Sequence, residues 1–118
     1  MQMIEAFIRP NKLEAVKSAL DALGIIGLSA VECRGFGKQK GDSERYRSSR
    51  HDMGFVPKVM LKICVTSEDK PRVVKAISDA ARSGGADGAG AVGDGKIFVY
   101  PVAEAIRIRT GETNEAAI

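Results

Sequence analysis

Tryptophan is absent from this chain, histidine occurs once, and aromatic residues make up 5% of the 118 residues. A nucleic-acid surface needs a basic stripe interleaved with stacking rings, and this composition has little from which to build one. The single histidine, His51, cannot form a zinc site alone and reads as structural or incidental. Cys33 and Cys64 are the only cysteines, too few and too far apart for a metal knuckle or a disulfide framework. No apolar run approaches the roughly 18–20 residues that span a bilayer. Met1–Pro10 show no basic segment leading into a long apolar one, so no export signal is expected. Both thiols are therefore expected to be reduced, in a cytoplasm.

An excess of one charge sign is also missing. The chain carries 18 basic and 15 acidic side chains, for a net charge of +3. The densest basic segment holds Lys38, Lys40, Arg45, Arg47 and Arg50, offset by Asp42, Glu44 and Asp52. No nucleic-acid footprint follows from such a balance. What is present is ordinary globular material: 44% hydrophobic and 28% charged residues, in a length that fits one domain spanning 1–118.

Alternation over residues 2–9 predicts a strand, ended by Pro10. Asn11 is the expected cap of a helix whose stripe is Leu13, Val16, Leu20 and Leu23, with Gly24 as its stop. Residues 28–36 alternate again and predict a second strand. Residues 37–55 are polar, charged and without period, a length of loop that is usually functional or disordered. A third strand is predicted over 57–66, from Val59, Leu61, Ile63 and Val65. A second helix should follow, capped by Ser67 with Glu68 and Asp69 in its first turn and Val73, Val74, Ile77 and Ala81 as its stripe. Residues 84–95 hold six glycines, and 96–102 predict a last strand. The order strand–helix–strand–strand–helix–strand is that of an α+β, ferredoxin-like fold: a four-stranded antiparallel sheet with two helices on one face. The strands are apolar on both sides, so the open face is expected to be covered by other subunits.

Two glycine patterns fail on context. Gly88–Gly93 fits G-x-G-x-x-G and Gly90–Lys96 fits G-x-x-x-x-G-K. Both need a strand before and a helix after, whereas here a helix precedes and a strand follows. Ile97 also stands where a P-loop would need Ser or Thr. What remains is Gly93-Asp94-Gly95-Lys96, free amides beside an ammonium, which suits a phosphate chain or is an exposed turn. Arg107 and Arg109, two apart, would point the same way from an extended segment, as a polyanion clamp or a solvated edge. Neither cysteine has a base partner, and both lie in apolar strand patterns as inert thiols. No nucleophile with an adjacent base stands out, so the sequence gives little support for an enzyme.

Three stretches carry more than physics: GFGKQKG at 35–41 with Tyr46-Arg47, GDGKIFV at 93–99, and IRIRTGE at 106–112. With Ile8-Arg9-Pro10 and Phe55-Val56-Pro57-Lys58 as flanks, they closely resemble the PII nitrogen-regulatory signal-transduction proteins, over essentially the whole chain to Ala117-Ile118. The resemblance implies a non-enzymatic homotrimer in the cytoplasm, brought to a membrane only through a transporter partner and not by insertion. Nucleotide sites would lie between subunits. Residues 37–55 look like the family's partner-binding T-loop, 83–96 like its B-loop, and 103–118 like its C-terminal loop.

Carried over residue by residue, Gly93, Asp94, Gly95 and Lys96 are expected at the phosphates of ATP or ADP, with Gly35, Gly37 and Lys38 also at the nucleotide. Arg107 and Arg109 would reach the phosphates from the adjacent subunit, and Leu28, Ser29 and Cys64 would flank the base or ribose. Gln39 would ligate magnesium together with ATP and 2-oxoglutarate. Lys58 would pair with a carboxylate of 2-oxoglutarate, assisted by Gly37, Lys40 and Gly41. Arg45, Tyr46 and Arg47 would meet the partner, an ammonium transporter or a nitrogen-assimilation enzyme or regulator.

The sequence departs from the family pattern at several places. His51 replaces a tyrosine that many members uridylylate, and Ser49 is left as a modification site to test. The B-loop is longer by about six residues, an insertion that costs little closure entropy. Lys62 stands where an acidic residue is common, and Lys38 where Arg is common. An alternative within the wider family is a carbon or energy sensor that answers adenine nucleotides without 2-oxoglutarate. An RNA-binding module lacks its aromatic signature, and a phosphoryl-transfer enzyme lacks its nucleophile.

Overall fold

The structure is a computed structural model and describes residues 1–37, 54–84 and 88–118. Strand β1 (Gln2–Ile8) is followed by a single 3-10 turn, Pro10–Lys12, and helix α1 (Leu13–Ala22). Strands β2 (Ser29–Phe36) and β3 (Phe55–Val65) come next, then helix α2 (Lys70–Ala81), strand β4 (Gly95–Pro101) and a last 3-10 turn, Asn114–Ala117. The strands form one antiparallel sheet in the order β2-β3-β1-β4. This is the ferredoxin-like arrangement that the element order predicted.

Alternation decides which face is buried. Ile4, Ala6 and Ile8 of β1 and Val59, Leu61, Ile63 and Val65 of β3 point to the helices and are almost wholly buried. Val16 and Leu20 of α1 and Val73, Ile77 and Ala81 of α2 close over them, each from its helical stripe. The opposite face carries Phe7, Met60 and Phe98, with the rings of Phe7 and Phe98 meeting edge to face at 6.1 Å. Phe98 stays 48% exposed in the single chain, so the described residues leave this face open.

The helix ends explain where sequence reading succeeded and where it did not. Gly24 ends α1 as expected: it takes φ +79°, its N–H bonds Asp21 O, and Ile25 N–H reaches back to Leu20 O. That pair of bonds is a Schellman motif. Asn11, however, is not the cap of α1. Pro10 opens a 3-10 turn that already contains Asn11, closed by Lys12 N–H on Arg9 O, and the cap position falls to Lys12. Ser67 does not cap α2 either. The Thr66 hydroxyl accepts the Asp69 N–H at 3.1 Å, Asp69 itself occupies the cap position, and no acidic residue lies in the first turn of α2. Thr66 is favoured because the last turn before the helix closes on it, with Lys70 N–H on its carbonyl.

Strand β3 begins two residues earlier than its alternation suggested. Phe36 and Phe55 face each other across the β2–β3 ladder, their rings 5.5 Å apart, and extend the pairing. Pro57 pairs only with β2, opposite Arg34, because the β1 ladder ends at Ile8–Val59.

Candidate functional site

The antiparallel register places two groups of the sequence-selected residues at opposite ends of β1. At one end, Lys96 pairs with Phe7 and Gly95 with Ile8. At the other, Cys64 pairs with Met3. Phe7 and Met3 are four residues apart, roughly 13 Å at the rise of a strand.

The first end is a cavity of about 330 Å³, lined by Gly35, Gly37, Lys58, Gly93, Gly95 and Lys96 with Phe7, Phe36, Val56 and Phe98. Four chain segments separated in sequence therefore converge: β1, the end of β2, the start of β3 and the turn into β4. The Lys58 ammonium donates to the Gly93 carbonyl and ties β3 to the glycine loop. Lys96 lies 6.0 Å from the centre of the Phe98 ring, so its charge rests beside an apolar wall. Two ammonium groups among glycine backbones form a concentration of positive charge and close-approach amides, suited to a polyanion. Lys38, Gln39, Lys40, Gly41, Arg45, Tyr46, Arg47, Ser49 and His51 lie outside the described residues.

The second end is a cavity of about 960 Å³, lined among others by Leu28, Ser29, Lys62, Cys64, Arg107 and Ile118. Burial pushes the Cys64 thiol up, so it is held as a neutral, apolar wall. Lys62 reaches Glu5 at 3.8 Å, and Glu5 also accepts the Tyr100 hydroxyl at 2.8 Å. That bond to a carboxylate, together with burial, raises the phenol above its ordinary value. Lys62 is thus partnered across the sheet from β1.

Arg107 and Arg109 do not sit in an extended segment. Ile106 bridges Thr113, Arg107 N–H bonds Glu112 O, and Gly111 N–H returns to Arg107 O at 2.8 Å, so the chain turns between them. The cause is local: Arg107 ion-pairs with Glu112 at 2.8 Å, and the Thr110 hydroxyl donates to the same carboxylate. Arg107 lines the second cavity; Arg109 does not.

Asp94 behaves unlike its glycine neighbours. Its carboxylate accepts the Ser83 N–H at 3.0 Å, the Ala91 N–H at 2.9 Å, the Ser83 hydroxyl, and Arg9 Nε at 3.2 Å. Arg9 also donates to the Val92 carbonyl at 2.8 Å. Burial would raise the carboxyl, but these bonds outweigh it and hold the group well below the usual carboxylate range. Sequence reading assigned no role to Arg9 or Ser83. Their link to Asp94 spans 85 and 11 residues and has no local signature.

The sequence profile described as "Nitrogen regulatory protein P-II" matches residues 1–112. Relatives of that name are 48% identical in Pasteurella multocida, 45% in Rhizobium etli and 48% in Nostoc punctiforme, each over the full length of both chains. The chain belongs to the nitrogen regulatory P-II family. That membership gives it a signalling role in nitrogen regulation, and the regulatory names of its relatives fit a non-enzymatic protein. No helix among the described residues is long and apolar enough to cross a membrane. In this P-II chain the described part of the first motif stretch, 35–37, closes β2, the second, 93–99, runs through the turn before β4 into that strand, and the third, 106–112, follows β4.

Proposed function

We propose that this P-II protein senses ATP against ADP, together with 2-oxoglutarate, and passes the result to a nitrogen-metabolism target through residues 37–55. The observation that carries the reading is the convergence of Gly35, Gly37, Lys58, Gly93, Gly95 and Lys96 on one cavity. Lys96 and the glycine amides would take the phosphate chain, and Lys58 the carboxylate of the metabolite. Lys58 would then exchange its Gly93 carbonyl for that carboxylate, a stronger, charge-assisted partner.

Leu28, Ser29 and Cys64 would form the base end, with Arg107 on the same cavity wall reaching toward the phosphates. A base held there and phosphates held at the Lys96 end are best served by two copies of the chain, each lending one end. The uncovered sheet face with Phe98, Val31 and Tyr100 supports such an assembly, a homotrimer in the family the chain resembles. Arg109 would join from the same turn as Arg107.

Magnesium would arrive with the nucleotide phosphates and be completed by Gln39. The described residues lining the cavity are glycines, two lysines and apolar side chains, and offer the metal no carboxylate of their own. Because Gln39 lies at the start of the segment 37–55 and Lys58 just beyond its end, a ligand that engages both favours one arrangement of it. The free-energy difference between arrangements is then passed to the partner surface at Arg45, Tyr46 and Arg47. The target is an ammonium transporter or a nitrogen-assimilation enzyme.

Competition binding of ATP and ADP to wild type and Lys96→Gln tests the site. Loss of one charged contact is expected to weaken both nucleotides about tenfold. Gln39→Ala is expected to keep ATP binding while removing its synergy with 2-oxoglutarate. Unchanged affinity in Lys96→Gln contradicts the phosphate assignment, and retained synergy in Gln39→Ala contradicts the metal ligand.

A further inference from the structure

Asp94 stands between two glycines of the proposed phosphate loop, yet its carboxylate faces inward. Both oxygens are committed: one to the Ser83 hydroxyl and Arg9, the other to the Ser83 and Ala91 amides. Its own N–H is spent on Ala91 O at 3.1 Å. A carboxylate without a free donor repels a phosphate chain rather than holding it. The same group joins three parts of the chain: the residue after β1, the exit of α2, and the stretch entering β4. Arg9 adds a second tie through Val92 O.

We propose that Asp94, with Ser83 and Arg9, is the positioning unit of the anion-binding loop, and touches no ligand itself. It fixes the path of Ala91–Lys96, so that Gly93, Gly95 and Lys96 face the cavity before a ligand arrives. Arg9 neutralises the carboxylate's charge, which would otherwise oppose the polyanion. The six glycines of residues 84–95 make such a unit necessary, because they enlarge the number of conformers that must be restrained. This proposal rests on the reading that the Lys96 end receives phosphates.

Two readouts separate it from that reading. Nucleotide affinity is measured for Asp94→Ala, Ser83→Ala, their double variant and Ser83→Thr. Asp94→Ala is expected to weaken ATP and ADP alike, with or without magnesium, by about tenfold, the scale of lost bonds to a charged group. Ser83→Ala is expected to weaken them less, Ser83→Thr to restore binding, and the double variant to fall short of additive. Amide hydrogen exchange in the ligand-free protein is expected to quicken at Ser83 and Ala91 in Asp94→Ala and Ser83→Ala, while core amides of β3 stay protected. Tighter nucleotide binding in Asp94→Ala, or a loss confined to magnesium–ATP, would mean that Asp94 faces the ligand, and overturns the proposal. Unchanged exchange at both amides overturns it even if wild type binds neither nucleotide, a result that would separately overturn the reading of the site.

Discussion

Gly95 lies so close to the backbone of Phe7 that a Cβ at position 95 would sit 1.7 Å from the Phe7 carbonyl oxygen. Gly95 also holds φ +118°, a conformation that side chains rarely adopt. Steric fit and backbone conformation therefore both demand glycine where the glycine loop becomes β4. Gly95→Ala is expected to destabilise the fold by about 3 kcal/mol or more, from strain plus displacement of the β1–β4 pairing. Urea unfolding measures it, and a loss below about 1 kcal/mol would show that the β4 start can shift without cost.

Asp94 gives the protein an acid-sensitive component. Its carboxyl is depressed in the folded chain, so it contributes stability that is complete above its unfolded value near 4. As pH falls below that, the unfolded chain takes up the proton first, and the contribution is lost progressively toward the folded value. The stability difference between wild type and Asp94→Asn is expected to be constant from pH 7 to about 5 and to shrink below about 4. Urea midpoints at a series of pH values read this, and a difference independent of pH down to 3 would contradict it.

Leu61 is wholly buried in the central strand β3, facing both helices. Leu61→Ala is expected to cost about 2–5 kcal/mol through lost burial and a residual cavity. An unfolding midpoint close to that of wild type would mean that the helices collapse onto the space.

Gly24 tests a purely conformational cost. It has φ +79° and no atom within 4 Å of where a Cβ would stand. Gly24→Ala is expected to lose about 1–2 kcal/mol by forcing a side chain into the left-handed region. Calorimetry or urea unfolding distinguishes this from a neutral change.

The fold was legible because its signals are local and repeated. Ile4, Ala6 and Ile8, and Val59 to Val65, alternate without interruption, and Val16, Leu20, Val73 and Ile77 keep helical spacing. Gly24 carried its own stop signal. The caps were misread because Asn11 and Ser67 are good capping residues in isolation, whereas the choice between Ser67 and Thr66 depends on how the chain closes its turn. The site was half legible. Its glycines and lysines were visible as types, but their meeting in one cavity depends on strand register. The role of Asp94 was hidden for the same reason: a carboxylate in a glycine loop looks alike whether it faces outward or inward. Arg9 and Ser83 decide that it faces inward, and neither belongs to a local pattern. The turn between Arg107 and Arg109 likewise depends on Glu112, beyond the pair itself.

The most direct test of the account is calorimetric titration of 2-oxoglutarate into the purified protein under three conditions: with magnesium and ATP, with magnesium and ADP, and without nucleotide. The account expects heat of binding only with magnesium and ATP. Equal heat in all three would contradict a shared site for nucleotide and metabolite. No heat in any, with ATP and ADP still bound, would contradict metabolite sensing and leave a sensor of adenine nucleotides alone.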